Sequence, residues 1–337
     1  MIIFWFRRDL RLEDNAGLYH ALKEGKPVLP LFIFDTHILD DLEDKIDRRV
    51  DFIHRHLEKL NNELIARGSA LLIKHGKPLD VFRELVIEYP IEKVFANRDY
   101  EPYAKQRDAE IEYLLQSKNI SFHHFKDHVI FEGNEVLKDD STPYTVFTPF
   151  SKRWKSRLRE SDLPSFSTEK FSGNFYRTKS FRFPSLKEIG FEKTDLIIPQ
   201  EDPGDELIRH YAETRDYPAI NGTSRLSVHL RFGTVSIRKE MRRAKSLSEK
   251  FFNELIWREF YSSILQHFPQ VITQSFRPEY DRIKWRNNEK EFSAWCEGRT
   301  GFPIVDAGMR ELNATGYMHN RVRMITASFL TKDILID

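Results

Sequence analysis

The chain has 337 residues, 40% hydrophobic and 31% charged, the balance of a water-soluble globular protein long enough for two cores. Its net charge of +1 excludes any argument for a nucleic-acid partner from the total, although residues 205–337 hold 21 Lys/Arg against 17 Asp/Glu and form the more basic part. A single cysteine, Cys296, excludes an internal disulfide framework and suits a reducing cytoplasm, and the five-residue apolar run in "MIIFWFRRDLR" is too short for a signal-peptide core or a membrane span.

The first 130 residues alternate short apolar runs with amphipathic segments. Ile2 to Phe6, Val28 to Phe34, Ala70 to Ile73, Val94 to Ala96 and Phe122 to Phe125 read as buried strands. Between them, Asp47 to Arg67 carries Val50, Ile53, Leu57, Leu60 and Leu64 at steps of 3 and 4, the period of a helix, with Gly68 as its stop. Strands joined by helical crossovers predict a right-handed, doubly wound parallel sheet, an α/β domain over 1–130. Residues 131–200 include "FSTEKFSGNFYRTKSFRFPSLKEIG", which has no steady period, and read as a connector laid over the surface. Its phenylalanines argue against a free, disordered linker. From 201 to 337 the patterns are helical. "ELIRHYAETRDYP" stops at Pro218, Ser248 to Pro269 is one long helix, and the final stretch from Met318 reads as helical to the end.

Common fingerprints are missing. There is no G-x-G-x-x-G, no Walker-type phosphate loop, no serine-hydrolase elbow and no C-x-x-C. "HRH" at 54–56 sets its histidines on different sides of a helix, so no metal site is expected. Two stretches carry chemistry with two readings each. In "NGTSRLSVHLRFGTVS", Thr223, Ser224 and Ser227 surround Arg225 at a helix start, which suits a diphosphate and equally suits a capped helix with a solvated arginine. In "NELIWREFY", Glu254, Trp257, Arg258 and Tyr261 share one side of a helix. They suit a stacked polar ring, and equally an ordinary Glu–Arg pair beside a core indole.

Four strings, "FWFRRDLRLEDNAGL", "GTSRLSVHLRFGTVS", "NELIWREFY" and "GFPIVDAGMRELNATGYMHNRVRMITASFL", occur in this order over nearly the whole chain, which thereby resembles the DNA photolyase/cryptochrome family. The resemblance implies an N-terminal Rossmann-like α/β domain, a connector and a C-terminal helical domain holding a folded FAD. It implies that Tyr211, Thr223, Ser224, Arg225, Leu226, Ser227, Phe251 and Arg323 serve the FAD site, and that Trp285 is the outer member of a tryptophan chain that reduces the flavin.

Within the family, Asn320 and Met324 stand where the (6-4) photolyases and animal cryptochromes have histidines. Together with Glu254 and Trp257 they resemble the branch, class I, that repairs cyclobutane pyrimidine dimers in duplex DNA. That likeness implies light-driven repair of a flipped-out dimer by reduced, anionic FAD. Glu254, Trp257, Asn320 and Met324 would be at the lesion, and Arg215, Arg258, Tyr261 and Arg321 on the DNA. A cryptochrome-type photoreceptor is the alternative, as is an inactive fragment unable to hold FAD. Family members continue past the position of Asp337, so the helical domain is expected to be incomplete, with Arg323 short of a partnering aspartate. Family members often hold a second, antenna chromophore; Tyr103-Ala104 stands where folate-binding members have Asn-Glu, leaving a deazaflavin, FMN or an empty site. A monomeric, cytoplasmic protein with no membrane and no obligate protein partner completes the expectation.

Overall fold

The computed structural model describes residues 1–337, and the chain forms two units. The first comprises 1–194, 200–202 and 226–269; the second comprises 195–199, 203–225 and 270–337.

The first unit is built on five parallel strands, β1 (Ile2–Phe6), β2 (Val28–Asp35), β3 (Leu72–Gly76), β4 (Lys93–Asn97) and β5 (Ser121–Phe125), in the order β3-β2-β1-β4-β5. All five residues of β1 are buried, because both faces of the sheet are covered. Side chains alternate across a strand. Ile2, Phe4 and Phe6 therefore enter one core with Leu18 and Leu22 of α1 (Ala16–Lys23), and Ile3 and Trp5 enter the other. Below β2, α2 is a single turn, Thr36–Leu39, and α3 (Arg48–Ile65) lays Val50, Leu57, Leu60 and Leu64 on the first core. Helices α4 (Pro78–Glu88) and α5 (Pro102–Gln116) cover the second with Phe82, Leu85, Ile111 and Leu115. Asp47 caps α3 through Arg49 N and Val50 N, the start expected from the sequence.

Strand β3 starts two residues later than the apolar run suggests. Its ladder pairs Leu72–Gly76 with Asp35 and its predecessors, while Ala70 and Leu71 are buried ahead of it. The parallel sheet reverses its winding between β1 and β4. At that point Asn97 receives the Gly17 N–H at 2.8 Å and donates to Asn15 Oδ1 at 2.8 Å. A Cβ on Gly17 would come within 2.8 Å of Asn97 Oδ1, so only glycine permits this approach of α1 to β4.

The span 131–200 departs from the sequence reading, because it contains a regular helix, α6 (Phe147–Arg157). Phe147, Phe150 and Trp154 stand at helical spacing, but Pro149 obscured the pattern; it lies in the first turn, where proline is tolerated. Buried Trp154 donates from Nε1 to Glu259 Oε2 at 2.6 Å and ties α6 to α11 (Glu249–His267). The first unit also holds α9 (Ser227–Phe232) and α10 (Ile237–Leu247). Arg238 of α10 reaches Asp127 Oδ1 at 2.8 Å, and Arg11 reaches Asp127 Oδ2 at 2.7 Å. Burial opposes ionisation of Asp127, but the two guanidiniums outweigh it and hold the carboxyl well below its usual range.

The second unit contains α7 (Asp205–Arg209), α8 (Tyr211–Thr214), α12 (Glu289–Cys296), α13 (Pro303–Thr315) and α14 (Asn320–Ser328). Two expectations are corrected here. The run up to Pro218 is broken at His210 into two short helices. The last helix stops at Ser328, passes through a wide turn over Phe329–Asp333 and ends non-helically, with Leu335 at φ +51° and its carbonyl accepting from Arg286 N at 2.8 Å. Helices α13 and α14 meet at Gly308, where a Cβ would lie 2.4 Å from Val322 Cγ1. Met309, Met318 and Val322 form the buried cluster beside that crossing, with Trp295 and Leu312 against it.

Candidate functional site

In the second unit, His319 caps α14. Its Nδ1 accepts from Arg321 N at 3.1 Å, so the ring carries its proton on Nε2, which donates to the Arg215 carbonyl at 2.9 Å. This buried imidazole ties the start of α14 to the segment after α8. The arrangement brings two guanidiniums to one carboxylate: Arg321 Nε lies 3.0 Å and Arg215 Nε 3.1 Å from Asp216 Oδ1. Partial burial would raise the Asp216 pKa, but hydrogen bonds from Arg321 and Arg215 lower it overall. One turn along the same exposed face, Asn320 Nδ2 lies 3.9 Å from Met324 Sδ. Met324 is 59% exposed, an unusual position for a thioether. Arg323 is also exposed, so its lack of an aspartate partner carries no burial cost.

Residues expected at the FAD site fall on both units. Tyr211, Thr223, Ser224, Arg225 and Arg323 belong to the second, and Leu226, Ser227 and Phe251 to the first. In the second unit, Thr223 Oγ1 and Tyr317 OH share a hydrogen bond of 2.8 Å, and the Arg225 guanidinium lies over the Tyr317 ring at 4.5 Å. Buried Tyr211 has the Arg215 guanidinium 5.4 Å from its ring centre. Arg225 sits at φ +51°, a left-handed conformation that costs an L-residue about 1–2 kcal/mol. It is exposed and meets no carboxylate. The expectation of hydroxyl capping fails: α9 begins at Ser227 with Leu226 at its cap, and no side chain accepts there. Leu226 and Phe251 are buried, and Ser227 is exposed. Within the second unit, Thr223, Ser224 and Arg225 supply two hydroxyls and a guanidinium, donor types that suit a phosphate.

On α11, half-buried Trp257 stacks face to face on Phe147 at 3.6 Å and 6°, with the Tyr261 ring near-parallel at 5.6 Å. The indole is therefore part of an aromatic stack. Phe147 carries no clear sequence signal, because Pro149 masks the helical period around it. Glu254 is half-buried and Tyr261 is 63% exposed on the same helix. Arg258 requires a correction. Its guanidinium turns inward to donate to the carbonyls of His128 at 2.6 Å and Leu230 at 3.2 Å, so it joins α11 to its own unit and is not displayed for phosphate. Trp285 lies half-buried between Arg282 and α12.

A cavity of about 510 Å³ opens at the carboxyl ends of β1 and β2, beside the point where the sheet reverses its winding. Ligands of open α/β sheets bind in such crevices. Tyr103 OH donates to Asp35 Oδ2 at 2.6 Å and stacks on His37 at 4.5 Å; burial and the Asp35 carboxylate push its phenol upward. The Arg107 guanidinium lies 4.8 Å from the Trp5 ring. Arg8 and Arg231 both hold Glu101 at 2.7 Å. Asp99, though burial works against its charge, is held at about 2 by Arg8 and Arg7. Flat aromatic surface with flanking guanidiniums suits a planar, anionic ligand.

The five-stranded, doubly wound parallel sheet of the first unit and the helices of the second define an α/β-plus-α protein. Residues 2–168 match the DNA photolyase family, and residues 251–337 match the FAD binding domain of DNA photolyase. A deoxyribodipyrimidine photo-lyase from Synechococcus sp. is 35% identical over all of this chain and 75% of its own length. Among solved structures, an archaeal photolyase from Sulfolobus tokodaii, which holds two FAD molecules, matches with a TM-score of 0.84 and 34% identity. The match covers 100% of this chain and 76% of that one. A bacterial class III photolyase from Agrobacterium tumefaciens matches at 0.86 and 30%, over 100% and 73%. The chain belongs to the DNA photolyase family, and its C-terminal part is the FAD-binding domain of that family.

Proposed function

We propose that this chain carries out light-dependent repair of cyclobutane pyrimidine dimers in DNA, by electron transfer from photoexcited reduced, anionic FAD to a flipped-out dimer. The observation that carries this reading is the exposed Asn320–Met324 face of α14 beside the Arg215–Asp216–Arg321 cluster. A dimer is bulky and apolar at its cyclobutane ring and polar at its imide edges. The Met324 thioether offers a polarizable apolar contact, and the Asn320 amide donates and accepts at the edges. Arg215 and Arg321 would hold backbone phosphates, with Asp216 orienting both guanidiniums. The Trp257–Phe147 stack would supply an apolar wall, and Glu254 and Tyr261 would meet the lesion strand. Arg258 would act only by fixing α11.

Thr223, Ser224, Arg225 and Ser227 would hold the FAD diphosphate. Tyr211, Leu226 and Phe251 would line its rings, and Arg323 would stand at the flavin side. When bound, FAD supplies the photoexcitable electron donor. Trp285 would be the outer relay residue. The 510 Å³ cavity would receive a second chromophore, whose identity the lining leaves open. No helix is long and apolar enough to cross a membrane. We infer a cytoplasmic monomer acting on damaged DNA without an obligate protein partner. The test is repair of a thymine-dimer oligonucleotide under blue light by the flavin-loaded chain, compared with Asn320→Ala/Met324→Ala. The reading requires light-dependent repair that the variant loses. Flavin binding and excitation with no repair would support the photoreceptor alternative instead.

A further inference from the structure

Outside the repair and chromophore sites, the first unit gathers His56, Glu201 and His229 so that their ligand atoms all lie within 4.8 Å of one another. The sequence argued against a metal because the "HRH" histidines diverge. They do: His54 Nε2 meets the Pro184 carbonyl at 2.9 Å, while His56 turns away from it. What sequence spacing could not show is that His56 of α3 meets His229 of α9. We propose that His56, His229 and Glu201 bind one divalent cation of the borderline transition-metal class, Zn²⁺ being the type.

Both imidazoles are anchored through Nδ1. His56 Nδ1 lies 2.8 Å from the Phe52 carbonyl, which can only accept, so this nitrogen holds the proton and Nε2 carries the lone pair. His56 Nε2 faces Glu201 Oε1 at 3.6 Å. His229, wholly buried, has Nδ1 2.7 Å from Thr234 Oγ1. The Phe52 carbonyl fixes the His56 tautomer, and the Thr234 hydroxyl, able to donate or accept, orients the His229 ring; such outer partners are the support that metal-ligating histidines use. Two imidazoles and a carboxylate, with one position left for water, are a known zinc donor set.

The surroundings agree. The Phe52 ring packs at 4.0 Å from His56 and 5.5 Å from His229, giving the pair an apolar wall. His56 and Glu201 line a cavity of about 330 Å³, room for a fourth, water ligand. Lys59 Nζ sits 2.6 Å from Glu201 Oε1, where a cation would be placed. The Lys59 side chain is 56% exposed and Glu201 37%, so the ammonium can swing into solvent and the carboxylate can close on the metal. The bound ion would clip α3, residues 200–202 and α9 of the first unit together.

Co²⁺ as a spectroscopic stand-in tests this on the chelator-treated full chain, followed by Zn²⁺ competition. One Co²⁺ per chain with the visible bands of a tetrahedral site, displaced by Zn²⁺, is expected. Glu201→Gln, at a half-exposed position that does not endanger folding, should lose the bands. Thr234→Val should weaken binding by about 10–100-fold, the usual cost of losing an outer partner. Zn²⁺ should raise the Tm of the parent chain and not of Glu201→Gln. Absence of stoichiometric Co²⁺ binding, or bands unchanged in Glu201→Gln, would overturn the proposal.

Discussion

Asn320 Nδ2 lies 3.9 Å from Met324 Sδ, one helical turn away, on the exposed face of α14. An amide and a thioether paired in solvent gain little for folding, because neither is taken out of water. Their value lies in what they would contact. Replacing both with histidine, Asn320→His/Met324→His, keeps the helix and substitutes titratable rings for neutral groups. Loss of cyclobutane-dimer repair is the expected outcome, with flavin content unchanged; repair at the parent rate in the double variant would remove these residues from the lesion site.

The Trp257–Phe147 stack separates two contributions. Trp257→Ala should weaken binding of dimer-containing DNA by about 1–3 kcal/mol, the range for one lost base-stacking contact. Phe147→Ala removes the support beneath the indole and an edge contact with Phe260. It should cost the ring-pair increment of about 0.5–1.5 kcal/mol of stability plus the lost apolar burial, with a smaller loss in lesion binding. Binding titrations against damaged and intact duplexes, with thermal melts, check both. Unchanged discrimination in Trp257→Ala contradicts its role.

Gly308 sets the crossing of α13 and α14, since a Cβ there would lie 2.4 Å from Val322 Cγ1. Gly308→Ala gains helix propensity but overpacks the contact, and should destabilise by about 1–3 kcal/mol. Gly308→Ala/Val322→Ala should recover part of that loss. A Gly308→Ala protein as stable as the parent in denaturant titration would show that the helices separate freely.

His124 gives an acid limb to stability. Burial, the largest influence, lowers its pKa to about 4 despite the nearby Asp108 carboxylate. The unfolded imidazole takes up a proton near 6.5, so between 6.5 and 4 the unfolded chain binds more protons than the folded one. Stability from keeping His124 neutral is therefore full above 6.5 and is lost as pH falls toward 4. Thermal melts from pH 7 to 4 should show a shallower decline in His124→Asn than in the parent; identical slopes would contradict the half-buried neutral ring.

The strands and the long helices were legible because burial on both faces or along one stripe leaves a period in the sequence. Ile2–Phe6 and Arg48–Ile65 are examples. Helix α6 was not, since Pro149 and the basic residues around Trp154 mask three apolar positions at helical spacing. Asn320, Met324 and Trp257 were expected as site residues through family resemblance alone. Partnership did not show: Phe147 beneath Trp257, Asp216 between two arginines and His319 at the cap are joined by tertiary contacts far apart in sequence. Arg258 shows the converse. Helical spacing placed it beside Glu254 and Tyr261, but the carbonyls of His128 and Leu230 draw it inward.

The central claim is tested most directly by loading the 337-residue chain with FAD, reducing it without oxygen, and illuminating it with a thymine-dimer oligonucleotide while the restored thymine is quantified. The account predicts light-dependent restoration of thymine, none in the dark, and loss of it in Asn320→His/Met324→His. Stoichiometric reduced flavin that absorbs light yet restores no thymine would contradict it.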